Sequence, residues 1–268
     1  MSATGAFSRH VSILAIIPAR YGSTRLPGKP LADIHGKPLV QHVYERVREA
    51  HQLDDVLVAT DDERIVAAVR SFGGRAVMTA ADCATGTDRL AEAARDTDAD
   101  IVVNVQGDEP LLDPAGIDAA VAAMTADPSV PIVTLSLPLR SVEEMLAPSV
   151  VKVVSDARGN ALYFSRSPLP HVRLPAGDAR SSAAAAVARG LARKHVGLYV
   201  YRREALERFA SLPCAPLEEA EGLEQLRALH HGMRIQVVER EGDAGVAVDT
   251  PEDLERVRAL LARHGGLS

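Results

Sequence analysis

Two stretches of this chain carry residue types that could do chemistry on phosphate. The first runs Pro18-Ala19-Arg20-Tyr21-Gly22-Ser23-Thr24-Arg25-Leu26-Pro27-Gly28-Lys29-Pro30, with three cations (Arg20, Arg25, Lys29), two hydroxyls (Ser23, Thr24) and two glycines. Glycine lets the backbone come close to a phosphate and cations neutralise it, so the loop suits a polyanion such as a nucleoside triphosphate. A solvated basic loop has the same composition, and composition alone leaves both readings open. It is not a Walker A loop, which needs four residues before Gly-Lys and then Ser or Thr. Here five residues separate Gly22 from Gly28, and Pro30 follows Lys29. Nor does it fit the dinucleotide pattern G-x-G-x-x-G.

The second stretch is Val103-Asn104-Val105-Gln106-Gly107-Asp108-Glu109-Pro110. Asp108 could hold a Mg²⁺ that bridges a triphosphate, since hard oxygen ligands suit that ion. It could equally be a turn acid beside Pro110. Asp249 precedes a helix start, Thr250-Pro251-Glu252-Asp253, and capping is its ordinary use there. Thr85-Gly86-Thr87-Asp88-Arg89 opens a helix, where free amides and hydroxyls could bind an anion or a base, or where Thr85 or Thr87 simply caps. Arg166 ends a strand and Lys194-His195 opens another; each reads as solvent-facing or structural. Glu224 and Gln225 read as surface residues of a helix whose one side can project into a cleft.

The elements that must position these groups alternate. Apolar runs Ile13–Ile17, Asp55–Thr60, Arg75–Met78 and Ile101–Val105 read as strands. Helices are expected over Leu39–Ala50, Glu63–Phe72 (capped by Asp62), Asp88–Arg95 and Pro114–Met124. This rhythm implies a parallel sheet with helices on both faces, and loops at the C-terminal strand ends are where such sheets bind ligands. The middle changes character. Val130–Leu139, Val150–Ser155, Ala161–Ser165 and His195–Tyr201 read as strands of mixed or antiparallel additions. Between them, Pro168–Arg193 reads as weakly ordered, its Ser181–Ala186 tract a mobile loop or a short helix. The end returns to a helix over Leu217–His230, a strand over Ile235–Glu239 and a last helix from Pro251 to about Arg263. We expect one domain over 1–268, with residues 1–11 flexible and 168–193 a mobile loop.

Residues 18–31, P-A-R-Y-G-S-T-R-L-P-G-K-P-L, resemble the signature loop of the sugar-acid cytidylyltransferases, most of all those acting on 3-deoxy-D-manno-octulosonate (Kdo). Further similarities, V-Q-G-D-E-P, T-G-T-D-R, A-L-Y-F-S-R, H-V-G-L-Y, L-E-Q-L-R and V-D-T-P-E-D-L, extend the match over residues about 12 to 260. The resemblance implies an α/β, Rossmann-like nucleotidyltransferase fold: a mixed, mostly parallel sheet with a smaller embedded lobe for sugar binding and dimerisation. It implies CTP and Kdo as substrates, CMP-Kdo and diphosphate as products, Mg²⁺ as cofactor, a homodimer, and a place in lipopolysaccharide synthesis of a Gram-negative bacterium.

The same resemblance assigns catalytic work to Arg20, Arg25, Lys29 and Asp108, and the metal to Asp108 with Asp249. It assigns nucleotide binding to Ala19, Arg20, Ser23, Lys29, Thr85, Gly86, Thr87 and Gln106, and the sugar to Arg166, His195, Glu224 and Gln225. Two departures stand out. Thr85 takes the place of a serine but keeps the hydroxyl, and Ala244-Gly245-Val246-Ala247-Val248-Asp249 replaces the usual G-T-G-V-D. No dedicated general base is identifiable; a metal-lowered hydroxyl pKa suffices. The alternatives are a related enzyme with another acceptor, such as an acylneuraminate, and a CTP-binding regulatory module without turnover.

Bulk properties narrow the classes. A net charge of −6 argues against a general nucleic-acid surface, and the absence of Trp against stacking platforms. Cys83 and Cys214 lie in no metal-ligand spacing and read as reduced thiols. No apolar run approaches a membrane span, so a cytoplasmic location is expected.

Overall fold

In the computed structural model the described residues are 10–265, except 24, 84, 192 and 243–244. Nearly all of the expected flexible N-terminus, and the Thr24 hydroxyl, therefore lie outside the described residues.

Ile13–Ala19 forms β1, buried on both faces because strands flank it on either side. A single 3-10 turn, Lys29–Leu31, follows the basic loop. The two-residue strands β2 (Asp33–Ile34) and β3 (Lys37–Pro38) make a hairpin turned by His35 and Gly36, both at positive φ. Then come α1 (Leu39–Arg48), β4 (Asp55–Thr60), α2 (Glu63–Ser71), β5 (Ala76–Met78), α3 (Gly86–Arg95), β6 (Ile101–Asn104), α4 (Pro114–Ala126) and β7 (Ile132–Pro138). The chain continues through α5 (Val142–Leu146), β8 (Lys152–Ser155), β9 (Ala161–Ser165), α6 (Ala179–Ala188), β10 (Arg193–Arg202) and α7 (Arg203–Ser211). It ends with α8 (Pro216–Glu221), α9 (Gln225–His230), β11 (Ile235–Glu239) and α10 (Pro251–Gly265).

The main sheet has the order β11-β7-β10-β6-β1-β4-β5. All of these strands point the same way except β10, which is antiparallel to both β6 and β7. The period of two along each strand splits the core. Ile13, Ala15 and Ile17 meet α1, α2 and α4 on one face, while Leu14 and Ile16 meet α3, α7 and α9 on the other. The expected mixed, mostly parallel sheet with helices on both faces is thus present, and β8 and β9 extend it beside β10.

One expectation is corrected and one pair of alternatives is resolved. Leu217–His230 is not one helix: Gly222 adopts φ +61 and caps α8, and a new helix begins at Gln225. Glycine reaches that left-handed conformation without a Cβ clash, which is why it ends helices. The Ser181–Ala186 tract takes the helical of its two readings, in α6, where Asp178 accepts a hydrogen bond from the Ser181 amide at 2.8 Å. Its Ala183 and Ala186 pack with Leu139, Met145 and Val172 in a small separate core, the embedded lobe. Among the described residues, no helix is long and apolar enough to cross a membrane.

Candidate functional site

The ends of β1 and β6 stop side by side, and the loops that leave them form the floor of a cavity of about 360 Å³. The two turns touch at the backbone. A Cβ on Gly107 would lie 2.7 Å from the Pro18 carbonyl oxygen, so only glycine lets them meet this closely. The wall includes Ala19, Arg20, Ser23, Arg25 and Lys29 from the first loop, and Gln106, Gly107 and Asp108 from the second. Thr85 and Gly86 at the start of α3, Glu224 before α9, and Asp249 before α10 complete it.

Asp249 arrives because the segment before α10 lies across the β6 turn. The Val248 amide donates to the Asp108 carbonyl oxygen at 2.8 Å. Gly245 packs so tightly that a Cβ there would sit 3.0 Å from the Leu111 carbonyl oxygen. Lys29 Nζ then donates to Asp108 Oδ2 at 2.7 Å and to Asp249 Oδ1 at 3.1 Å, and Arg25 pairs with Asp249 Oδ2 at 3.2 Å. Gly28, at φ +68 under the Tyr21 ring, turns the chain so that Lys29 points inward.

Two carboxylates sharing one ammonium form a hard-oxygen pair that fits Mg²⁺, an ion commonly bound through one or two carboxylates plus substrate phosphates. The charges of Lys29 and Arg25 cancel those of Asp108 and Asp249, so the cluster alone offers a polyanion no net attraction. A divalent cation on the carboxylates would restore it. Among the described residues there is no larger group of His, Cys, Asp or Glu side chains suited to a metal.

At α3, the Asp88 amide donates to Thr85 Oγ1 at 3.2 Å, and the Thr85 amide donates to Asp88 Oδ2 at 3.0 Å. Thr85 thus caps the helix, and it also lines the cavity. Thr87 does not line the cavity. It is buried, and its hydroxyl donates to Glu224 Oε2 at 2.6 Å, steadying that carboxyl under the cavity wall. Burial raises the Glu224 pKa while the Thr87 hydrogen bond opposes the rise.

The remaining residues expected at the sugar stand outside this cavity. Arg166 is spent on the corner between α8 and α9. Its amide donates to Glu221 Oε2 at 2.9 Å, and its guanidinium donates to the carbonyl oxygens of Glu221 (2.7 Å), Pro148 (3.1 Å) and Gly222 (3.3 Å). Gln225 is buried in the first turn of α9. His195 lies between the rings of Phe164 and Tyr199, at 5.0 and 5.3 Å, and burial pushes its pKa down to about 3, so the imidazole is neutral. Its Nε2 lies 2.9 Å from Thr134 Oγ1, which gives its one proton to the Leu198 carbonyl oxygen at 2.7 Å. Nε2 therefore carries the ring proton and donates.

Among the cavity residues without a role in the sequence reading, two are polar: Arg89 and Cys83. Arg89 is almost wholly buried and pairs with Asp61 at 2.9 Å and with the Thr79 hydroxyl. Its signal was present in T-G-T-D-R, but nothing local told it from an ordinary first-turn arginine. Cys83 donates to Glu92 Oε2 at 3.1 Å, and burial pushes its pKa up to about 11, so it remains a thiol.

A family profile described as cytidylyltransferase matches residues 14–235. The chain belongs to the cytidylyltransferase family. This cytidylyltransferase is 56% identical over 253 residues to a 3-deoxy-manno-octulosonate cytidylyltransferase of Geobacter metallireducens, covering 94% of this chain and 99% of the relative. It is 57% identical over 251 residues to the protein of that name from Geobacter sulfurreducens, covering 94% and 100%. Among solved structures it resembles a CMP:2-keto-3-deoxy-manno-octonic acid synthetase complexed with CTP, with TM-score 0.85 and 46% identity, covering 94% of this chain and 99% of that one.

Proposed function

We propose that this cytidylyltransferase activates Kdo: CTP + Kdo → CMP-Kdo + diphosphate, in the cytoplasm, for lipopolysaccharide synthesis. The observation that carries the reading is the convergence of Lys29, Arg25, Asp108 and Asp249 at the ends of β1 and β6. It occurs in a chain whose full-length relatives bear that enzyme's name.

Arg20 and Ser23 hold the phosphates of CTP from the first loop. Ala19, Thr85, Gly86 and Gln106 frame the nucleoside, with Thr87 acting from behind through Glu224. Mg²⁺ held by Asp108 and Asp249 would neutralise phosphate charge and lower the acceptor hydroxyl's pKa. The anomeric hydroxyl of Kdo attacks the α-phosphorus in line, losing its proton to solvent as its O–P bond forms and the bond to diphosphate breaks. Lys29 and Arg25 neutralise the departing diphosphate. Glu224 faces the sugar, while Gln225, Arg166 and His195 shape that wall from outside the cavity. We further propose a homodimer joined through the embedded lobe, which light scattering at twice the monomer mass would support.

The deciding test is diphosphate release with Mg²⁺, crossing CTP, UTP, ATP and GTP with Kdo, N-acetylneuraminate and no sugar. Release with CTP and Kdo alone is expected. Release with another sugar acid replaces the acceptor, and CTP binding without release would indicate a regulatory module.

A further inference from the structure

Behind the cleft lies a second cavity, of about 260 Å³, on the opposite side of the β6 turn. Ile117 of α4, Leu135 and Leu137 of β7, and Val196 and Leu198 of β10 form its apolar walls. Three acids line it, Asp113 and Glu241 at the rim and Glu109 within, while the neighbouring Asp108 lines the cleft. The bulge of β10 makes the room. Pairing shifts register between Val196 and Tyr199, and Gly197 there leaves space so that even a Cβ would only come to 3.9 Å from Glu109 Oε1.

The charges at the rim are already answered. Arg240 pairs with Asp113 at 3.2 Å, and Glu241 lies 3.8 Å from Arg193. The Glu109 amide and carbonyl oxygen are bonded within the turn, but among the described residues its carboxyl makes no hydrogen bond or ion pair. A carboxyl facing an apolar cavity without a donor is costly, and a cationic donor removes that cost. The lining is that of a small-ligand site, apolar walls with a few polar groups, and the volume suits only a small occupant.

We propose that this cavity binds small amines with an apolar body, the ammonium pairing with the Glu109 carboxylate and the body filling the space between α4, β7 and β10. Gln106, whose Nε2 donates to the Gly197 carbonyl oxygen at 3.2 Å, is the wall shared with the cleft. The site neither uses nor requires the cytidylyltransferase reaction.

The test is a titration of the full-length, methyl-labelled protein with benzylamine, followed by NMR, with benzyl alcohol as the neutral control. Saturating shifts at the methyls of Ile117, Leu135 and Leu137 are expected. Glu109→Gln should weaken benzylamine about 10- to 100-fold, as for loss of a charge-assisted hydrogen bond, and leave benzyl alcohol nearly unchanged. Leu137→Phe, which fills the space and keeps the carboxyl, should remove both. Three results overturn the proposal. One is shifts confined to the cleft, as at Ala19. Another is equal benzylamine affinity in Glu109→Gln. The third is no binding at about 10 mM, which also covers a cavity already closed by a second copy of the chain.

Discussion

The two walls of the cleft are built on opposite principles. The first wall consists of loops leaving strand ends, and its polar groups are ions that pair with one another across long sequence separations: Lys29 with Asp108 and Asp249, Arg25 with Asp249. The wall beyond Glu224 consists of helix starts and buried rings, and most of its polar groups bond to hydroxyls or backbone carbonyls, His195 to Thr134, Thr87 to Glu224 and Arg166 to three carbonyl oxygens, beside one buried ion pair, Arg227 with Glu218. An ionic wall can exchange partners when a charged ligand and a metal arrive. A wall of buried hydrogen bonds holds its shape and selects by fit. Substitutions on the first should therefore cost turnover with little loss of stability, and substitutions on the second should cost stability and acceptor binding together.

The largest effect is expected for Asp108→Asn: a fall in kcat of about 10³-fold or more with the thermal midpoint close to that of the parent, read by diphosphate release and calorimetry. Chelation with EDTA should silence the parent equally, and added Mg²⁺ should restore it. Near-normal turnover in the variant would break the ionic half of the comparison. Next is Gly107→Ala. Its Cβ would meet the Pro18 carbonyl oxygen at 2.7 Å, so the β1 and β6 turns must part. Displacement of the reacting groups by about 1 Å can lower the rate about 10²-fold, which kcat/KM for CTP would report.

The buried wall is sharpened by pH. The folded-state pKa of His195, about 3, lies below the ordinary 6.5, so the folded chain binds fewer protons than the unfolded one between those values. Its contribution to stability is complete above pH 6.5 and is lost as the pH falls from there toward 3. His195→Gln, which cannot titrate, should flatten the decline of thermal midpoint across that window. An unchanged slope would mean that the imidazole is not held neutral. Arg166→Ala should destabilise by about 1–3 kcal/mol through the carbonyl oxygens it leaves unpaired, and raise KM for Kdo more than KM for CTP. The smallest effect concerns α6, which rests on a core of a few residues. Its amides should exchange faster than those of β1 in a hydrogen-exchange experiment, and equal protection would show the lobe to be as firm as the sheet.

The positions of the ionic wall were legible in the chain, while the roles of its residues came from the family resemblance. Gly28-Lys29, Gln106-Gly107-Asp108 and Val248-Asp249 stand at strand ends and helix starts, where residue type and element boundary together restrict the role. The buried wall was less so. Arg166 and His195 were visible as residues near strand ends, but a sequence does not show that Glu221 and Gly222 claim the guanidinium, or that Phe164 and Tyr199 enclose the imidazole. The Leu217–His230 helix failed at Gly222 because apolar spacing outweighed one glycine whose left-handed turn only packing could reveal.

Sequence alone determined the order of the elements, the two-faced sheet, the capping at Asp62, and which loops carry the charges, because each follows from contacts within a few residues. Tertiary structure decided that Asp108 and Asp249 share one ammonium, that Thr87 serves Glu224, and that Glu109 faces away from the cleft into a cavity of its own. Those outcomes depend on the Val248 amide meeting the Asp108 carbonyl oxygen and on Gly107 letting two turns touch. Such contacts join residues far apart in the chain, and no local pattern encodes them.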